Sequence, residues 1–186
     1  MPNWCFSTLV VTGSPEELAA FRQKAEGPNA FGDPGVLTFH AFVPYPEEYA
    51  RLDKAHIAYT RAIAVRKRIL GRIPTDREVA ELKKELNAPE KSGYEIGGMN
   101  WCYDHWGTRW DANQPELEEE AGALIYRFST AWSPPIPVVR AMAAQHPRLT
   151  LELEYEEGWE GYAGRCRFAG GVLIEEAEWE PEERED

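Results

Sequence analysis

From Leu149 to Glu156 the chain alternates strictly, with Leu149, Leu151, Leu153 and Tyr155 on one register and Thr150, Glu152, Glu154 and Glu156 on the other. Successive side chains of a strand point to opposite faces, so this segment reads as a strand with one dry face and one wet one. A dry face needs a second layer, which the rest of the chain must supply.

The other segments sort by period. Trp4 to Thr12 is aromatic and β-branched, stops at Gly13 and is apolar on both faces, which predicts a strand covered on both sides. Ser14-Pro15-Glu16-Glu17 then opens a helix to about Ala25: Ser14 caps, Pro15 suits the first helical position and Glu17 sits at the capping-box position. Val36 to Val43 reads as a second strand, closed by Pro44-Tyr45-Pro46. Leu124, Tyr126, Phe128 and Thr130 share one face of a third, and Ser133-Pro134-Pro135 introduces a helix that ends near His146-Pro147. A last strand or hairpin covers Gly161 to Trp179.

Between Glu47 and Glu90 the apolar spacing turns helical, which predicts two helices divided at Gly71 to Pro74, the second opened by the capping box Thr75-Asp76-Arg77-Glu78. Strand, helix, strand followed by strand, helix, strand is the split βαβ order of an α+β ferredoxin-like sandwich with a mainly antiparallel sheet. On this reading residues 1–179 form one domain, the two helices at about 47–90 are an insertion after the second strand, and 180–186 is an acidic tail. The insertion and the Trp-rich loop are the available cover for the second face of the first strand.

Charge is unevenly distributed about a net of -12. Residues 51–91 carry 11 Lys and Arg against 6 Asp and Glu, a net of +5, whereas residues 150–186 carry 3 against 13, a net of -10. An acidic total argues against non-specific coating of DNA, since Lys and Arg on phosphates supply most of that affinity. The basic segment, with Arg61, Arg66, Lys67, Arg68 and Arg72, is a candidate surface for an acidic partner. Arg68 to Leu86 faintly resembles the first helix of helix-turn-helix segments in sigma-type factors, but Pro89, Gly93, Gly97 and Gly98 stand where a recognition helix would follow. Met1 to Val11 lacks the basic start and sustained apolar run of a leader, and no stretch nears the roughly 18 apolar residues of a membrane span, so a soluble cytoplasmic protein without membrane contact is expected. Cys5, Cys102 and Cys166 are far apart and odd in number, which predicts buried thiols and no disulfide framework or zinc knuckle.

Chemistry concentrates in W-G-T-R-W-D from Trp106 to Asp111 and T-A-W-S-P-P from Thr130 to Pro135. The indoles of Trp101, Trp106, Trp110 and Trp132 can stack on a planar ligand, Arg109 can hold a phosphate or carboxylate, and Asp104 and Asp111 can accept hydrogen bonds. The same residues also serve as packing pieces, with Gly107 a turn, Arg109 paired with Asp111 or a carbonyl, and Trp132 under Pro134 and Pro135. His105 beside Asp104 has the makings of a tuned imidazole in an extended loop, yet His40, His56 and His146 show no ligand spacing. No nucleophile signature, Walker lysine or dinucleotide fingerprint occurs, so neither a metal nor a cofactor is expected.

P-N-W-C at Pro2 to Cys5, the two Trp motifs, and Y-E-E-G-W-E-G-Y-A-G from Tyr155 to Gly164 together resemble the YubB ferredoxin-like domain family of phage and plasmid proteins. The resemblance implies the ferredoxin-like fold and a mobile-element origin, and it brings no catalytic residue. Glu47 to Glu90 departs from it. Three classes of function follow. The first is a non-catalytic module that binds a host or phage protein or a small ligand through the Trp/Arg loop and the basic insertion, with a variant in which Glu152, Glu154 and Glu156 and the tail mimic a phosphate track. The second is nucleic-acid binding through the sheet face or the insertion. The third is an enzyme using Asp104, His105, Arg109 and Asp111.

Overall fold

In chain order the regular elements are β1 (Trp4–Thr12), α1 (Pro15–Ala25), α2 (Glu47–Leu70), α3 (Asp76–Glu85), α4 (Met99–Trp106), β2 (Asn113–Glu120), β3 (Ala123–Ala131), α5 (Ile136–Gln145), β4 (Thr150–Glu157), β5 (Tyr162–Ala169) and β6 (Val172–Trp179). The computed structural model describes residues 3–159 and 161–180. Apart from Glu180, the tail expected at 180–186 lies outside the described residues, as do Pro2 and Glu160 of the quoted motifs. The chain divides into two compact units, one built from residues up to 44 together with those from 100 onward, the other from residues 45–99.

In the first unit the strands form an antiparallel sheet of order β2-β3-β1-β4-β5-β6. β1-α1-β2 and β3-α5-β4 are the two split βαβ halves, each with one strand between its own, which is the expected ferredoxin-like α+β topology. The β5-β6 hairpin extends the sheet beyond that core. The apolar character of Trp4–Thr12 suits its central place: Leu9 faces Tyr126 and Leu153, and Val11 faces Leu124 and Leu151, all of them buried. Leu18, Phe21 and Ala25 of α1 and Val138, Val139, Met142 and Ala143 of α5 close this side. Fully burying a side chain of this size is worth about 1.5–3 kcal/mol over exposure. Ser14 caps α1 as expected, its oxygen accepting from Glu17 N–H at 3.4 Å. His146 wedges against Phe21 and Phe42, with ring centroids 5.1 and 6.1 Å away, and burial holds its imidazole below the usual range.

One predicted strand is absent. Val36 to Val43 runs instead through a single 3₁₀ turn at Phe39–Ala41. Leu37, Thr38, Phe39 and Phe42 are all buried, a pattern without two-residue alternation, and Thr38 N–H is spent on Ala25 C=O at 3.0 Å. The second core strand is β2, which the sequence disguises: in Asn-Gln-Pro-Glu-Leu-Glu-Glu-Glu only Leu117 is a large apolar residue. It is the outermost strand on its side of the sheet, where charge and proline are tolerated. The helical segment therefore interrupts the first crossover, between α1 and β2, and does not follow the second strand.

The opposite sheet face carries Trp4, Phe6, Thr8 and Val10 of β1. The Trp-rich loop reaches Trp4, where Trp110 packs at 6.0 Å between centroids, and leaves Phe6 65% exposed. The cover expected from that loop is thus confined to one end of the strand.

In the second unit α2 and α3 fall where the periodicity put them, divided by Gly71 at φ +64° and opened by the Thr75–Glu78 capping box. Buried Asp53 accepts from Tyr45 Oη at 2.9 Å and Tyr94 N–H at 2.8 Å, tying α2 to the wide turn at Tyr94–Gly98. Gly93 lies so close to the Tyr49 backbone that no side chain would fit. No helix among the described residues is long and apolar enough to cross a membrane. The three cysteines are buried thiols outside any disulfide, and burial pushes those of Cys5 and Cys166 up to about 11.

Candidate functional site

The two Trp motifs interlock. α4 ends at Gly107, whose φ of +83° only glycine adopts at little cost, and a Cβ there would meet Pro134 C=O at 2.9 Å and the Pro137 ring. Gly107 C=O accepts from Ser133 Oγ at 2.7 Å, and buried Thr108 Oγ1 donates to Ala131 C=O at 2.9 Å. Thr130 Oγ1 donates to Ser133 C=O at 2.8 Å, closing the turn after β3. Thr108 and Ser133 are therefore the fasteners between the motifs.

Fastened this way, the segment presents a cation-aromatic platform. The Arg109 guanidinium lies over the Trp132 ring at 4.6 Å, Trp110 meets Trp132 edge-on at 5.4 Å, and Trp4 backs Trp110. Arg109 is exposed, Trp110 is 40% exposed and Trp132 is half-buried. Among the described residues no carboxylate pairs with Arg109, so the pairing with Asp111 allowed by the sequence is not made. Trp132 sits at φ +68°, a left-handed conformation that costs a bulky residue about 1–2 kcal/mol. Its backbone is held there from both sides: the N–H donates to Asn3 C=O at 2.9 Å, and the C=O accepts from Tyr162 Oη at 2.7 Å. Strain maintained by its surroundings is a common property of binding surfaces.

The remaining candidates scatter. Trp106 is buried, donates its indole N–H to Val43 C=O at 2.9 Å and packs against Phe39 and Trp101, so it belongs to the core. Asp111 faces inward: Oδ1 accepts from Phe39 N–H at 2.6 Å and Ala112 N–H at 2.8 Å, Oδ2 from Thr38 Oγ1 at 2.7 Å and His40 N–H at 3.4 Å. Enclosure raises this carboxyl above its usual range and the four donors pull the other way. Asp104 and His105 lie on helix α4, not in an extended loop. His105 is exposed, stacks on Trp101 at 4.4 Å and engages the Trp101 carbonyl through Nδ1 at 2.9 Å, away from any catalytic partnership with Asp111. No group of three or more His, Cys, Asp or Glu among the described residues could hold a metal ion.

Of the basic candidates in the second unit, Arg61, Lys67 and Arg68 are exposed on α2 and Arg66 is half-buried. Arg72 lies past the helix end and grips Glu78 with two hydrogen bonds of 2.9 Å, a structural commitment. Lys67, Arg68, Arg72 and Ile73 line a depression of about 600 Å³.

Element order, strand order and antiparallel pairing make the sheet unit a ferredoxin-like domain. Residues 105–186 match the family model described as "Ferredoxin-like domain in Api92-like protein". The crystal structure of a protein api92 from Yersinia pseudotuberculosis is similar to this chain with a TM-score of 0.56 at 11% identity, over 98% of this chain and 99% of that one. At that identity the likeness concerns the fold. No curated protein matches the chain.

Trp4, Thr108, Ser133 and Tyr162 are not among the site residues the sequence points to, although all four fall within motifs that carry the family resemblance, which is the available signal. Thr38 and His40, which hold Asp111, had none.

Proposed function

We propose that this protein is a non-catalytic interaction module whose contact surface for a partner protein is formed by Arg109, Trp110 and Trp132. One observation carries the reading: an exposed guanidinium stacked on an indole at 4.6 Å, with no carboxylate partner among the described residues. Tryptophan and arginine dominate the energetics of protein interfaces, and a guanidinium already held over a ring loses little freedom on binding. The chemistry it fits is a carboxylate or a row of backbone carbonyls on the partner. Both carboxylate oxygens of Asp111 and the Nδ1 of His105 are engaged within the protein, which speaks against the enzyme reading. The resemblance of the four motifs to YubB-type proteins of mobile elements makes a host or phage protein the partner to seek.

Nucleic acid is the weaker candidate for the sheet face, because Glu116, Glu118, Glu152, Glu154 and Glu156 lie on it. The test is partner capture from host extract by the full chain, compared with Arg109→Ala and Trp110→Ala. Each variant is expected to keep its fold by circular dichroism and to lose about 30-fold in affinity for the captured protein, the size of an interface hot spot. Identical capture by all three proteins would remove the reading.

A further inference from the structure

The face of the sheet turned away from α1 and α5 holds a second surface of opposite charge. Opposed residues form rows across the strands: one runs Ser129, Phe6, Glu156, Ala163, Trp179, and the next runs Arg127, Thr8, Glu154, Arg165, Ala177. In the first row small Ala163 stands between Glu156 and Trp179, and the result is a shallow depression of about 350 Å³. Phe6 and Trp179 flank it, 65% and 48% exposed, and the side chains of Glu154, Glu156 and Arg127 complete its rim.

The charges there do not cancel. Arg127 pairs with Glu118 at 2.6 Å and Arg165 with Glu175 at 2.5 Å, so both cations of this part of the face are committed to strand neighbours. Glu154 is exposed and, among the described residues, has no salt bridge. Two exposed aromatic rings three strands apart, roughly 14 Å at the usual strand spacing, bracket a surplus of negative charge over a floor of small residues. A phosphate chain is repelled by such a surface. A guanidinium suits it, being planar, weakly hydrated, able to stack on an aromatic face and able to meet a carboxylate with two parallel hydrogen bonds.

We propose that this depression binds an arginine-containing basic peptide segment of a partner protein, an arginine side chain entering between Phe6 and Trp179 with its guanidinium on the Glu154 carboxylate. A segment of about four extended residues spans the distance between the two rings. The required chemistry is the reverse of that at Arg109, and the site stands or falls independently of it.

The test titrates the full-length chain with the peptide Arg-Gly-Arg-Gly-Arg and with its citrulline counterpart, which keeps the shape and loses the charge. Binding is followed by amide and indole N–H resonances. The arginine peptide is expected to move the Trp179 indole and the Glu154 and Ala163 amides, to leave the Trp110 and Trp132 indoles in place, and to bind more tightly than the citrulline peptide. Glu154→Gln, on an exposed position, is expected to weaken binding about three- to fivefold, the scale of one exposed charge contact. Trp179→Leu, which keeps bulk without the π face, is expected to do the same, with thermal melting as the check on folding. Equal response to the two peptides, shifts confined to Trp110 and Trp132, an unaltered Glu154→Gln titration, or displacement of the peptide by a single-stranded oligonucleotide bound at Trp179 would each overturn the proposal.

Discussion

Asp111 illustrates how a residue with every appearance of chemistry is spent on architecture. In W-G-T-R-W-D its neighbours Arg109 and Trp110 face outward, and it stands where a ligand-binding acid would be expected. Its carboxylate instead collects four donors from Thr38, Phe39, His40 and Ala112, three of them backbone N–H groups, and those of Phe39 and His40 would otherwise be left without partners at the 3₁₀ turn. An unsatisfied buried donor costs about 1–3 kcal/mol. Asp111→Ala strands several at once, so a loss of about 2–4 kcal/mol in urea unfolding is expected. Asp111→Asn keeps an acceptor at Oδ1, against Phe39 and Ala112, and places an amide where Thr38 can turn its hydroxyl to accept. It is therefore expected to lose about 1 kcal/mol. Equal losses for the two variants would mean that the negative charge, not the hydrogen-bond pattern, holds the turn. The sequence could not reveal this role, because the partners lie more than 70 residues upstream in a segment that reads as a strand.

At the scale of elements, legibility followed local physics. Capping residues, helical spacing and strict alternation located α1, α2, α3, α5 and β4, because each signal depends on neighbours within a turn or two along the chain. β2 and the segment at 36–43 were misread for a tertiary reason: an edge strand tolerates glutamates, and an apolar turn can be buried without being a strand. The α2–α3 junction shows how firmly a local signal can be fixed. Glu78 accepts from Thr75 N–H at 2.8 Å and from both Arg72 nitrogens, and Arg72 first, then Thr75, holds its carboxyl down at about 2. A carboxyl depressed in the folded state adds stability above its unfolded value, and that contribution is lost as pH falls through the folded one. The Glu78 side-chain carbon resonance is accordingly expected to titrate near pH 2. Arg72→Ala should raise it toward the ordinary glutamate range near 4.5, with the two Thr75 hydrogen bonds keeping it below. A Glu78 midpoint unchanged by Arg72→Ala would assign the depression to the cap alone.

The whole molecule joins two units of unlike charge, the net +5 of residues 51–91 lying in the insertion, whereas β4, β5 and β6 of the sheet carry 7 Glu against 2 Arg. Each unit carries its own fastening. In the sheet unit, Val43 at the departing end of the chain receives the Trp106 indole N–H at 2.9 Å, so the chain is anchored on either side of the interruption by residues of the sheet unit. In the insertion, the Asp53 bonds to Tyr45 and Tyr94 and the contact of Gly98 with the Tyr45 hydroxyl bring its two ends together. The sheet core, from Leu9 and Tyr126 to Met142 and Leu153, is built of residues of the sheet unit. Replacing those residues with a flexible Gly/Ser linker of about eight residues is therefore expected to leave a cooperatively folding ferredoxin-like domain. A shorter connection changes closure entropy only slowly with length, so the expected stability lies within about 2 kcal/mol of the parent. The near-ultraviolet signal of the Trp4, Trp110 and Trp132 cluster is expected to persist, since its ring contacts and the bonds that hold it lie within the sheet unit. Loss of a cooperative denaturant transition in the shortened chain would show that the insertion is needed to complete the fold. A retained transition, with capture by Arg109 intact and contacts through Lys67 and Arg68 lost, would separate the two surfaces for study one at a time.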